Sequence, residues 1–217
     1  MSSRTGSGLK DMNTDTHTDA PEEPDNARPD LEPPARYIAK LADAVSDAQL
    51  GGPTPCPDFA VRDLIAHISG LSVAFRDAAR KEFGPNTNTA PGTGSHPELT
   101  ADWRSALPLQ LEELIVAWHS PASWEGDTKA GGFTLPATLA ARIALNELVV
   151  HGWDLARATG QRYAPDPASL GVSYALLAPA DSVAREPAFG PAVEVPRDAP
   201  FLDRVIGLSG RSPDWKP

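Results

Sequence analysis

The stretch NELVVHGWDLARATG, residues 146–160, sets three groups that are costly to desolvate, Glu147, His151 and Asp154, in an apolar run with helical spacing. At about 100° per residue, with Glu147 at zero, His151 lies at about 40° and Asp154 at about −20°. Ala140, Ile143, Ala144 and Ala158 fall within about 60° of the same direction, so the polar trio shares an apolar stripe. Arg142, Asn146 and Arg157 occupy the opposite sector and mark the expected wet face. Trp153, also turned away from Glu147, is expected to pack against the C-terminal segment. The spacing predicts a helix from about Leu135 to Thr159, stopped by Gly160 where a left-handed cap is common.

Upstream, Pro33 and Pro34 can open a helix, and Tyr37, Leu41 and Val45 form a single stripe four residues apart. After the breaker GGPTPCPDF, residues 61–83 place Leu64, His67, Ile68, Leu71 and Phe75 at helical spacing. A third run carries Trp103, Leu107, Leu111, Leu114 and Trp118, with Pro108 as a possible kink. Four helices with three connections predict a mainly all-α four-helix bundle, whose core is a standard place for a metal or ligand site. Loops over residues 84–98 and 120–132 would rim the bundle, with an extended piece expected around Trp124. Beyond Gly160 the chain reads as a helix in PASLGVSYALLAPADSVA, an extended FGPAVEVP and a short amphipathic helix through Phe201, Val205 and Leu208.

Residues 1–34 hold eight acidic against three basic residues, half of the net charge of −10, and almost no large apolar side chains. Such a segment cannot repay the entropy of ordering, so a disordered acidic tail is expected there. The expected organisation is this tail, a bundle over residues 35–160, and a C-terminal extension over residues 161–217 packed on it. There is no basic stripe to neutralise phosphates, which argues against nucleic acid as a partner. There is also no apolar run of about 20 residues to span a membrane. Without an apolar leader, and with Cys56 as the single cysteine, the expected location is the cytoplasm.

An unpaired buried carboxylate costs several kcal/mol, so Glu147 requires a proton, a cationic partner or a metal ion. His67, on the apolar face of the second helix with Leu64 and Leu71, points inward as well. Each group has an ordinary reading: a lone inward His is commonly a hydrogen-bonded core residue, and a Glu–His pair four apart is a common helix contact. Together, two imidazoles and a carboxylate from two helices form a three-ligand set with a position left open, as catalytic zinc sites have. Asp154 is the candidate acid/base, or the acceptor of a hydrogen bond from a ligand His, with a salt bridge to Arg157 or to another helix as its plainer alternative. Cys56 reads as a small buried apolar group or a redox-sensitive thiol near the site. His119 reads as a helix C-terminal cation. Either could serve as a fourth ligand. His17 and His96 receive no role.

TPCPDFAVRDLIAHISG, followed some eighty residues later by NELVVHGWDLARATG, resembles the DinB/YfiT-like metalloenzyme superfamily. More closely, it resembles actinobacterial metal-binding proteins related to the N-terminal domain of mycothiol-dependent maleylpyruvate isomerase. The resemblance covers about residues 35–160 and implies a four-helix bundle with a divalent metal, usually zinc, on His67, Glu147 and His151. Where related sequences often cap the second helix with Asp, Thr or Ser, this chain has Ala60, leaving Asp58 or Asp63 to serve that end.

Such a site keeps one net positive charge and favours an anionic fourth ligand, a thiolate or hydroxide. The resemblance implies mycothiol as cosubstrate and a small electrophile as substrate, in a thiol-dependent S-transfer or isomerisation. Only 57 residues follow Gly160, too few for the isomerase's C-terminal domain, so an electrophile other than maleylpyruvate is expected. Two other readings stay open: a hydrolase activating water, and a non-catalytic bundle braced by its metal. Nickel, iron or cobalt suit the same donors.

Overall fold

The computed structural model describes residues 28–90, 98–178 and 191–217. His17, His96 and residues 1–27 of the expected tail lie outside them. The last residues assigned to the tail belong to the fold. Leu31 is 2% exposed, and helix α1 (Glu32–Asp43) begins one residue later, with Pro33 and Pro34 in its first turn.

Helices α2 (Val61–Arg80), α4 (Trp103–His119) and α5 (Ala137–Ala158) complete the bundle, and a four-residue turn of helix, α3 (Pro85–Asn88), follows α2. Neighbours pack in the order α1, α4, α2, α5 and back to α1. Ile38 and Leu41, Leu64, Ile65 and Ile68, and Leu107, Leu111 and Leu114 meet in one core. Facing them, α5 presents Ala140, Ala141 and Ala144, whose small side chains let the larger ones close in. Helix α4 runs unbroken through Pro108, which lies on its exposed side.

Ala60, at the start of α2, has no side-chain oxygen to offer. Asp63 reaches back instead, its carboxylate accepting from the Ala60 N–H at 2.9 Å. At the other end α2 stops at Arg80, short of the expected residue 83, as Lys81 takes a left-handed conformation (φ 59°). The Lys81 ammonium donates to the carbonyls of Glu125 and Asp127, tying this turn to the next connection.

That connection is more ordered than a loop. Pro121–Trp124 form a short 3-10 turn, so Trp124 is helical rather than extended. Strands β1 (Asp127–Ala130) and β2 (Phe133–Pro136) then pair antiparallel around Gly131 and Gly132. Both glycines have positive φ (58° and 80°), the requirement of a two-residue hairpin turn.

Helix α5 differs most from its expected surface. Asn146, placed on the wet side by the sequence, is 0% exposed, and Trp153 is 3% exposed. The cause is α6 (Pro167–Leu177), capped by Asp166, which packs along α5, with α7 (Phe201–Leu208) behind it. Tyr163 donates to the Val149 carbonyl at 2.7 Å. Arg157, whose guanidinium lies over the Trp153 ring, donates to the carbonyls of Pro213 and Trp215. The C-terminal segment thus covers a flank that the four bundle helices leave bare, and α5 is buried along nearly its whole circumference.

Candidate metal centre

His67 stands in the second turn of α2, half-buried, and its ring meets that of His151 edge-on with centroids 4.8 Å apart. Glu147 and His151, one turn apart on α5, are 8% and 5% exposed. Oε2 of Glu147 lies 3.0 Å from Nε2 of His151. Donor atoms of His67, Glu147 and His151 all fall within 4.8 Å of one another. Side-chain adjustments of rotamer scale would bring them onto one ion at bonds of about 2 Å. The three residues singled out from sequence therefore converge in space from two helices. Their chemistry, two nitrogens and one carboxylate oxygen, fits a borderline divalent cation.

The three groups differ in protonation. Burial, reinforced by the nearby charge of His151, pushes His67 down to about 4, so at neutral pH it is an uncharged imidazole with a free lone pair. Burial opposes the charge on His151 too, but hydrogen bonds to Asp154, Cys56 and Glu147 outweigh it and raise this imidazole well above its ordinary value. Glu147 stays below the usual carboxylate range because the bond to His151 and the charges around it overcome the cost of burial. Beside it lies a small, partly open pocket of about 10 Å³ bordered by Leu71 and Phe75, room for about one water molecule.

The far nitrogen of His151 has a different partner. Its Nδ1 is 2.9 Å from Oδ2 of Asp154, which is 0% exposed. Asp154 does form an ion pair, though with a distant element and not with Arg157. The cation is Arg211, from the turn after α7, with Nη2 3.1 Å from Oδ2 and Nε 3.4 Å from Oδ1. Burial raises the proton affinity of Asp154, while the Arg211 charge and the His151 bond more than reverse that and keep it ionised. Sequence reasoning missed Arg211. A buried Asp154 demanded a cation as much as Glu147 did, but nothing local identifies a partner 57 residues away.

Cys56 is not an apolar core group. Its thiol donates to Oδ2 of Asp154 at 3.3 Å and receives an N–H of Arg211 at 3.2 Å. This places it beside His151 and Asp154, the donor atoms of the three lying within 4.8 Å of one another. His119 is remote from the trio. It ends α4, 58% exposed at its side chain, beside Glu32 at 3.9 Å, where a cavity of about 320 Å³ opens between Arg28, Trp118 and Trp124. Among the described residues no helix is long and apolar enough to cross a membrane.

Residues 31–156 match the family model of the mycothiol maleylpyruvate isomerase N-terminal domain. Two uncharacterized Mycobacterium tuberculosis proteins, MT0763 of strain CDC 1551 and Rv0738 of strain H37Rv, are each 27% identical to the chain over 180 residues, covering 81% of it and 92% of their own length. The solved structure of a mycothiol-dependent maleylpyruvate isomerase aligns with TM-score 0.50 and 20% identity over 67% of this chain, a likeness of fold. The chain spans 65% of that protein's length.

Proposed function

The chain belongs to the family of the mycothiol maleylpyruvate isomerase N-terminal domain, and from that premise we propose that it is a divalent-metal enzyme joining a low-molecular-weight thiol, mycothiol, to a small electrophile. The reaction is an S-transfer or a thiol-assisted isomerisation. The observation that carries this reading is the convergence of His67, Glu147 and His151 within 4.8 Å, drawn from two helices, with Glu147 and His151 buried and His67 half-buried.

When bound, zinc supplies a Lewis acid that favours the deprotonated form of a thiol near neutral pH. The protein's part follows from its own residues. His67 offers a neutral nitrogen without first losing a proton. Glu147 removes one of the ion's two charges, and the second carboxylate, Asp154, is neutralised by Arg211. One net positive charge therefore remains to attract an anionic sulfur. Asp154 also holds the Nδ1 proton of His151, leaving Nε2 to face Glu147 and the ion's position.

The test uses the full chain loaded with cobalt. Adding mycothiol should produce a sulfur-to-cobalt charge-transfer band, and the His67→Ala/His151→Ala double variant should purify nearly free of metal. Full metal occupancy in that variant overturns the ligand assignment. A cobalt spectrum unmoved by thiol, with ester or amide cleavage in its place, overturns the thiol reading in favour of a hydrolase.

A further inference from the structure

We infer that Arg211 is a positioning residue for the metal centre, acting through Asp154 on His151, so that the C-terminal segment completes a site whose direct ligands all lie in the bundle. This rests on the metal reading above and extends it to a residue outside the family match, which ends at residue 156.

Arg211 is well placed for such a role. Its side chain is 10% exposed, and that of Asp154 is 0% exposed. Its own posture is fixed: Nη1 donates to the Ser209 carbonyl at 2.8 Å, and its backbone N–H to the Ile206 carbonyl at 3.2 Å. Nη2 reaches both Oδ2 of Asp154 and Sγ of Cys56, closing a small polar ring behind His151. One turn along α5, Arg157 grips the carbonyls of Pro213 and Trp215, so two arginines, one from each partner, stitch residues 211–215 to the helix that carries two of the three ligands.

The consequence for the site is electrostatic and geometric. Asp154 without a cation would be an uncompensated buried charge, relieved by turning away toward water. Turning away costs His151 the acceptor at 2.9 Å that sets its ring plane and tautomer. The added negative charge would also cancel the site's pull on an anion. Metal binding and docking of the C-terminal segment are therefore coupled, and each strengthens the other.

The experiment measures zinc affinity by competition with a chromophoric chelator for the full chain and for Arg211→Met, Arg211→Lys, Asp154→Asn and the Asp154→Asn/Arg211→Met double variant, with circular dichroism checking the fold of each. Loss of an outer partner of a ligand His weakens metal affinity by about 10–100-fold, the loss expected for Arg211→Met. Arg211→Lys, which keeps the charge, should fall between it and wild type. In the Asp154→Asn background, Arg211→Met should cost little more, because Arg211 acts through the carboxylate. Wild-type affinity in Arg211→Met, or penalties that simply multiply in the double variant, overturns the proposal. If wild type itself fails to bind zinc, the metal reading falls separately. Positioning is then read by NMR in the metal-free protein, as a slowly exchanging Nδ1 proton on His151 that is kept in wild type and Arg211→Lys and lost in Arg211→Met. Its persistence in Arg211→Met overturns positioning as well.

Discussion

His151 and Asp154 are one helical turn apart on α5, with Nδ1 of the imidazole 2.9 Å from Oδ2 of the carboxylate. Nε2 of the same ring lies 3.0 Å from Glu147. With both nitrogens facing carboxylates, the metal-free ring carries two protons at neutral pH. An ion entering the trio takes the place of the proton on Nε2.

Zinc binding should therefore release one proton. His67 is already neutral above about pH 4 and Glu147 already ionised, so His151 alone must deprotonate. The logarithm of the zinc association constant should rise with a slope of about one per pH unit through the neutral range. Chelator competition at several pH values measures it. A slope of two would show both histidines protonated beforehand and contradict the neutral state of His67.

The same residues set the pH dependence of folding without metal, with opposite signs. His67 has a folded pKa lowered to about 4 from 6.5, so its contribution is full above 6.5 and is lost as pH falls toward 4. The full difference corresponds to about 3 kcal/mol. His151, raised in the fold, contributes below 6.5 and loses that stability as pH climbs through its elevated value. Urea unfolding of the metal-free protein between pH 6.5 and 4.5 should show a steep decline in wild type and a shallower one in His67→Leu. Parallel declines would remove His67 as the cause.

The helices and the trio were legible because both follow from local periodicity. Leu64, His67 and Ile68 on α2, and Glu147 and His151 on α5, declare an inward face at a spacing only a helix gives. What stayed hidden depends on contacts across long stretches of chain. Asn146 shares a face with Arg142 and Arg157 and reads as wet until the packing of α6 along α5 is known. Arg211 pairs with Asp154 through a fold that no window of sequence spans. The hairpin is a different case. Its four-residue strands are too short for alternation to stand out, and the signal present was Gly131–Gly132 between DTKA and FTLP.

The covered flank carries a cost that mutation can remove. Asn146 is 0% exposed, and neither its amide nitrogen nor its oxygen has a hydrogen-bond partner among the described residues. A buried unsatisfied polar group costs about 1–3 kcal/mol. Asn146→Leu, which keeps the same branched skeleton and number of heavy atoms, should stabilise the protein by about 1 kcal/mol, seen as a higher urea midpoint at constant slope. Destabilisation by Leu would mean that the amide has a partner in solution.

Beside His151 the packing is tight enough to reverse a usual helix preference. Ala in a helix interior is normally better than Gly by about 1 kcal/mol. At Gly152, however, a Cβ would meet Cε2 and Oη of Tyr163 at 3.0 Å. The ring cannot give way freely, since Oη donates to the Val149 carbonyl and the ring stands edge-on to Tyr37 at 5.1 Å. Tyr37 is itself held, donating to the Arg162 carbonyl and accepting from the Ala164 N–H. Gly152→Ala should therefore destabilise the fold by about 1–3 kcal/mol, as overpacking of a fixed core does. The penalty should shrink in a Tyr163→Phe background, where one of the two closest atoms is gone. Equal penalties in the two backgrounds would place the clash elsewhere than on Tyr163, because only residues in contact show such coupling.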